Sequence, residues 1–470
     1  MVKRSGSMAW GAMACIVALG FALRALAANG DLWTDEAWSL IMAGEAGGPF
    51  GVITNINHDN NHHLNSWWLQ LVGPDAPVWL MRGLSVVSGT ATIAFAGMIG
   101  WRQSKAAGLV SALLFAVAPI MVVFGSEARG YAPMLLALVV LIWCVDRWLS
   151  DPTRAFPTRL ATIAALIGTL GHLLMLPSVL LVALWVMAAR IGVRGVQGAI
   201  EESVRRMTVP VATSLFVAAM IAVIGFNSPG GFKVGGVTPF AWDSYRGALL
   251  ELVHLTTGLS PGGVGGLILA AIAVLILALR AEIMPHRKWL AAVMLITLPL
   301  LVALIHPGNS QFARYYLPVA VGLMLLLGDV IGAAFKARGG YAIVAGLLLG
   351  VMTTACLIYD RSFIASGRGR GGAPVRIMMA QAPRGTTVAI DQQRTRAILS
   401  VAAHPLRYPL TIHTNTCGDE RYRLVERFAP DPANAPIIRC GVRLDPIARA
   451  DAVPPSGQGW TLYVRHGAAR

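Results

Sequence analysis

Charge is what this sequence has least of. Only 13% of its 470 residues are Asp, Glu, Lys or Arg, against 56% hydrophobic ones, and mean hydropathy is +0.62. A soluble chain carries about 25% charged residues to cover its surface, so this composition excludes an ordinary soluble protein. Acidic residues are the scarcer kind, 23 against 38 basic ones, which leaves a net charge of +15. That excess argues poorly for nucleic acid, because no basic helix interleaved with aromatics stands in a soluble domain. Cysteine is scarce too, at five. Cys15, Cys144 and Cys356 fall inside apolar runs and read as packing residues. Cys417 and Cys440 fall in the C-terminal region, where a disulfide is permitted outside the cytoplasm. The chain has no internal repeat and no His-Glu-x-x-His motif for a protease-type metal site.

What is there is a series of apolar runs, each of the roughly 20 residues that a membrane span needs. About 11 spans are expected, near 8–28, 78–99, 106–124, 132–149, 160–175, 177–190, 208–226, 263–280, 289–305, 315–334 and 341–358. The fifth and sixth share one run, with Pro177 as the expected break. Basic residues collect in every second connection. Lys3 and Arg4 precede the first span, and Arg102 and Lys105 follow the second. Arg147, Arg154 and Arg159 follow the fourth, and Arg190, Arg194, Arg205 and Arg206 the sixth. Arg280, Arg287 and Lys288 follow the eighth, and Lys336 and Arg338 the tenth. By the positive-inside rule these turns and the N-terminus are cytoplasmic, and the first span reads as an uncleaved anchor despite its signal-like Ala25-Leu26-Ala27.

The expectation is therefore a polytopic α-helical membrane domain over 1–358 and a small soluble α/β domain over 359–470, periplasmic or otherwise extracytoplasmic. In the latter, 386–390, 410–413 and 460–464 read as strands. Gly-Arg-Gly-Arg-Gly-Gly at 367–372 reads as a flexible linker. Three external segments remain. The first, 29–77, is long, carries tryptophans suited to the interface, and includes an amphipathic helix over 65–72. The second, 125–131, is short, and 227–263 is a Gly- and Pro-rich mobile loop.

Chemistry-bearing residues cluster in those external segments. Thr34-Asp35-Glu36 sets two carboxylates just beyond the first span. A carboxylate suits the work of a general base on a hydroxyl, and the two point differently on a helix. The plainer reading is an N-capped helix start with acids in its first turn. His58, Asp59, His62 and His63 stand within six residues. His58 and His62 would share one face if helical, so a divalent metal there is a second possibility to hydrogen bonding with sugar or phosphate. Ser126-Glu127-Ala128-Arg129-Gly130-Tyr131 brings Glu127, Arg129 and Tyr131 between apolar spans, where ionisable groups are functional candidates. Arg314-Tyr315-Tyr316-Leu317-Pro318 opens a late span with an arginine that defies the charge rule. The plainer reading of the first is a Glu127–Arg129 pair or a snorkelling arginine, and of the second an interfacial anchor made by Arg314, Tyr315 and Tyr316. Lys233 and His172 are further external polar candidates.

In order and spacing these segments resemble the glycosyltransferase C (GT-C) superfamily. The resemblance covers roughly residues 1–335. It is nearest the bacterial family-39-like group, which includes protein O-mannosyltransferases and the lipid A aminoarabinose transferase. Asp35-Glu36 matches the Asp-Glu after the first span, and Asn60-Asn61-His62-His63-Leu64-Asn65 the polar motif before the second, with His63 at a frequent proline. The Ser126–Tyr131 loop and Arg314-Tyr315-Tyr316-Leu317-Pro318 match the remaining two. The resemblance implies inverting transfer of a sugar from a polyprenyl-phosphate donor to an acceptor hydroxyl on a glycan, lipid or protein, with no required cofactor. It implies Asp35 and Glu36 as catalytic groups, Asp35 being the base. It implies His62, His63, Glu127, Arg129, Tyr131, Arg314, Tyr315 and Lys233 as substrate-binding residues. The rivals are a lipid-linked glycan polymerase or ligase, a lipid or sugar transporter, and a metal-dependent membrane hydrolase.

Overall fold

The structure is a computed structural model and describes residues 2–260, 262–414, 417–427 and 435–467. Helices dominate. Among the described residues, seven stretches are long and apolar enough to cross a membrane: Ser7–Ala27, Gly83–Gln103, Tyr131–Ser150, Met175–Asn227, Pro285–Ile305, Ala313–Ala337 and Gly339–Gly369. Three shorter apolar helices, Lys105–Val117, Thr158–Gly171 and Gly265–Arg280, pack among them. The 53-residue stretch Met175–Asn227 is two helices. Gly195 breaks it with φ 70, a conformation glycine adopts without a Cβ penalty. The two halves then run back along each other: Ser203 Oγ donates to the Ala183 carbonyl at 2.8 Å, and Arg190 pairs with Glu202 at 2.7 Å. In one straight helix, residues 183 and 203 would stand about 30 Å apart.

Three sequence expectations need correction. The break between the fifth and sixth spans falls at 172–174, after Thr158–Gly171, and not at Pro177. That proline lies in the first turn of the next helix, where its missing N–H costs no helical bond. The segment 227–263 is not all loop, because a helix runs from Trp242 to Thr257. Tyr245, Ala248, Leu252 and Leu255 are buried along it at helical spacing, and Gly258 ends it with φ 75. Finally, 367–372 is no free tether. Gly367–Gly369 forms a 3-10 turn with Arg368 buried.

The ends of the helices sort by charge. At one end, Trp10 stacks on Trp101 at 4.7 Å, and Gln103 donates to the Glu282 carbonyl. There Asp146 collects Arg287 at 2.8 Å, His286 at 3.0 Å and Arg102 at 3.0 Å. Arg287 reaches on to Asp329 at 2.9 Å. The basic turns gather at this end. At the other end lie the first connection, with helices Thr34–Glu45, Pro49–Thr54 and His63–Val72, and the C-terminal domain. The helix expected over 65–72 thus begins at His63.

The C-terminal domain is a six-stranded mixed sheet in the order β2-β1-β3-β6-β5-β4. Its strands are β1 Thr386–Ile390, β2 Leu410–Thr414, β3 Tyr422–Arg427, β4 Ile437–Arg439, β5 Val442–Ala450 and β6 Gly459–Arg465. β1 runs parallel to β2 and β3, and the other pairs are antiparallel. Val375, Met378 and Leu399, from helices Ala373–Gln381 and Thr395–Ala403, cover Val388, Ile390, Leu424 and Leu462. Cys417 and Cys440 form a disulfide, with Cα atoms 5.7 Å apart.

The Asp146 cluster yields a prediction. Arg287→Ala leaves two buried carboxylates short of their shared cation. It should destabilise the helical domain by about 3–5 kcal/mol, read as a lower midpoint in detergent unfolding, while Lys288→Ala should not.

Candidate functional site

The polar segments converge on a cavity of about 840 Å³ at the end opposite the basic turns. Asp35 opens into it from the first turn of the helix Thr34–Glu45. Its Oδ2 accepts from Arg129 Nη1 at 2.5 Å and lies 3.5 Å from Arg314 Nη1. Arg129 Nη2 donates to Asn60 Oδ1 at 2.7 Å, and Asn60 Nδ2 donates back to the Asp35 carbonyl at 3.0 Å. Arg314 lies over the rings of Phe312 and Tyr315, so its guanidinium is fixed by stacking as well as by charge. One carboxylate thus faces two arginines.

The next residue does something else. Glu36 is fully buried and is not among the lining residues. Its carboxylate takes Arg82 in a fork, at 2.8 and 2.6 Å. It also accepts the backbone N–H groups of Ala128 at 2.7 Å and Trp33 at 3.2 Å. Burial pushes its pKa up, but the Arg82 charge and fork outweigh that and hold it below the usual carboxylate range. Adjacent helix positions diverge by about 100°, so one acid lines the cavity and the other anchors the loop that carries Arg129.

Of the other expected residues, His62, His63, Tyr131 and Tyr315 line the cavity. His62, Tyr131 and His172 form a ring cluster with centroids 4.5 to 5.6 Å apart. Burial, then the Arg129 charge, pushes His62 well below its usual range, and burial brings His63 down to about 4. Both are neutral near pH 7, so the positive charge facing Asp35 comes from the arginines. Glu127 stands outside the lining, buried with Arg368 at 3.4 Å, and burial pushes its pKa up. Lys233 is also outside it. Its backbone N–H bonds to the Asn57 carbonyl at 2.7 Å and its carbonyl takes the Asp59 N–H at 3.0 Å, which carries Gly235 and Gly236 into the wall.

The metal alternative at His58, Asp59 and His62 loses its premise. It required a helix, and 57–62 is turn and extended chain. His58 pairs with Asp59 at 2.8 Å, while His62 packs into the ring cluster. Among the described residues, no three His, Cys, Asp or Glu side chains are grouped to hold a metal.

Sequence reasoning missed Arg82, Arg368, and Gln393 and Arg394, the last two bringing the C-terminal domain into the cavity wall. Arg82 carried a readable signal: it opens a span at the end where basic residues are otherwise rare, as Arg314 does. Close approach at the arginine loop depends on Gly130. A Cβ there would lie 1.8 Å from the Gly171 carbonyl oxygen and 2.9 Å from His62 Cβ.

Solved structures share the fold. ArnT from Cupriavidus metallidurans in the apo state superposes with TM-score 0.56 over 97% of this chain and 98% of that one, at 13% identity. The same protein bound to undecaprenyl phosphate gives 0.54 over 96% and 98%, again at 13% identity. The chain has the GT-C fold. The similarity extends across the C-terminal domain, beyond the stretch whose motifs carried the resemblance. The Archaeoglobus fulgidus oligosaccharyltransferase matches at TM-score 0.48 and 12% identity over 88% of this chain and 68% of that one. No family model and no curated protein matches the sequence.

Two outcomes follow for this site. Glu36→Gln strands Arg82 in a buried site and should cost about 3–5 kcal/mol of stability, seen as a depressed melting temperature, whereas Asp35→Asn, at a carboxylate open to the cavity, should depress it less. For His63, the folded value of about 4 lies below the unfolded one near 6.5. Between those values the unfolded chain binds more protons, so stability must fall as pH falls. Melting temperature should therefore drop on acidification from pH 6.5 towards 4, and His63→Gln should flatten that drop.

Proposed function

We propose that the protein is an inverting glycosyltransferase that moves a sugar from a polyprenyl-phosphate donor to an acceptor hydroxyl. The observation that carries this is the placement of one carboxylate, Asp35, against Arg129 and Arg314 in a cavity of about 840 Å³. Two directed guanidinium groups fit the two non-bridging oxygens of the donor's phosphodiester, and the phosphate monoester that departs from it, and hold them with charge-assisted hydrogen bonds. ArnT, whose structure is similar over 96% of this chain and 98% of that one, has been captured with undecaprenyl phosphate.

In this reading the donor phosphate takes the arginines from Asp35, which is left free to act as base. The acceptor oxygen attacks the anomeric carbon from the side opposite the phosphate. The new carbon–oxygen bond forms as the bond to phosphate oxygen breaks, and the acceptor proton passes to Asp35. Arg129 and Arg314 stabilise the charge growing on the departing phosphate, so no strong general acid is needed. Glu36 contributes by holding the Ala128 N–H, and hence the arginine loop, in place. His62, His63, Tyr131 and Tyr315 offer neutral hydrogen-bonding and stacking surfaces for the sugar.

We assign the site to the external face of a bacterial inner membrane. The basic turns gather at the opposite end, as cytoplasmic turns do, and the Cys417–Cys440 disulfide suits an oxidising compartment. The transporter reading is disfavoured by the clustering of site charges at one end of the helices.

The test is transfer from a panel of polyprenyl-phosphate sugars by purified protein in an acceptor-rich extract, followed by mass detection of polyprenyl phosphate. Wild type should release it, and Asp35→Asn should release it at least about 100-fold more slowly while still binding donor. Release from no donor would reject the transferase.

A further inference from the structure

The C-terminal domain reaches the site by a second route, through the turn at 367–370. Residues Gly367, Arg368, Gly369 and Arg370 all have positive φ, at 53°, 55°, 86° and 51°. Two of them are arginines, for which this region is unfavourable, so surrounding contacts must impose it. Those contacts come from the sheet domain. Gln458 N–H donates to the Arg368 carbonyl at 3.2 Å, and Trp460 Nε1 donates to the Gly369 carbonyl at 2.7 Å. A Cβ at Gly369 would lie 2.0 Å from the Gln458 carbonyl oxygen.

The turn drives the Arg368 side chain into the membrane domain, where it is 2% exposed. Nη2 donates to the Ser126 carbonyl at 2.9 Å, to Ser126 Oγ at 2.8 Å and to the Val123 carbonyl at 3.3 Å. Nη1 lies 3.4 Å from Glu127 Oε1 and bonds to Ser456 Oγ of the sheet domain. The guanidinium also rests over the Phe363 ring at 4.8 Å. From the other side, Glu36 takes the Ala128 N–H, Asn65 Nδ2 donates to the Ala128 carbonyl at 2.7 Å, and Ser85 Oγ donates to the Arg129 carbonyl at 3.2 Å. The loop that presents Arg129 to Asp35 is thus gripped between the first connection and an arginine seated by the C-terminal domain.

We infer that Arg368 is a positioning residue: it fixes the 125–130 loop and through it sets Arg129 against Asp35, so the C-terminal domain is a working part of the site. The claim about the loop stands on geometry alone. Its consequence for phosphate rests on the transferase reading.

Both are tested in the full chain. Hydrogen exchange at residues 125–131 should rise about tenfold in Arg368→Gln, with Arg368→Lys between it and wild type, while exchange around Asp146 stays unchanged. Ser456→Ala, a milder loss, should raise exchange at 125–131 part of the way even if Arg368→Gln folds poorly. Binding of a long-chain polyprenyl monophosphate should weaken about tenfold in Arg368→Gln, and that loss should vanish in an Arg129→Gln background. Unchanged exchange at 125–131 would overturn the inference. So would equal weakening with and without Arg129, which would mean that Arg368 acts on folding in general. Loosened exchange with no polyprenyl phosphate bound by wild type would leave the positioning role standing and sink the transferase reading.

Discussion

The site rests on a charge imbalance: two guanidinium groups, Arg129 and Arg314, share one carboxylate, Asp35. Arginines cannot shed their protons in compensation, so a buried pair of them needs anionic company. Asp35 supplies part of that. A phosphate would supply it more fully, with more oxygens for the two forks. The cavity is therefore prepared for an anion at one point, and the carboxylate standing there is the group that such an anion would set free.

Much of the surrounding architecture keeps that arrangement in register. Arg129 sits on a short loop, and nearly every residue of the loop is held by a side chain from elsewhere. Arg82 and Glu36 form the support on one side and Arg368 on the other. These ion pairs are buried, where removal of one partner is costly. Precision of this kind suits catalysis by placement, since an arginine displaced by even an ångström loses its directed bonds to phosphate. The second charged cluster, around Asp146 and Arg287, ties the far ends of the helices together and leaves the site end to chemistry.

The sequence made the cavity-lining groups visible because they are short, polar and set in apolar surroundings. Asp35, His62, Arg129 and Arg314 each interrupt a run or flank one, and such residues are costly unless used. The division of labour between Asp35 and Glu36 was legible only as a divergence in direction. Which acid faced the cavity depended on where Arg82 lay, 46 residues on. Arg368 was hidden for a related reason. A Gly-Arg-Gly-Arg-Gly-Gly string reads locally as flexible, and only the sheet strands far along the chain force it into a left-handed turn. The helix Trp242–Thr257 was masked by the glycines and prolines on either side, although its buried residues kept helical spacing. In the C-terminal domain, β1, β2 and β6 fell almost where their short apolar segments placed them, whereas β3, β4 and β5, with charged residues in each, were not read as strands.

The most direct test of the shared-arginine account is the affinity of a long-chain polyprenyl monophosphate for wild type and for Asp35→Asn, measured at one ionic strength. If Asp35 holds the arginines that phosphate needs, neutralising it removes a competitor, and Asp35→Asn should bind the lipid phosphate several-fold more tightly than wild type. Weaker binding by Asp35→Asn would contradict the account, because it would make Asp35 a partner of the phosphate and not the group it displaces.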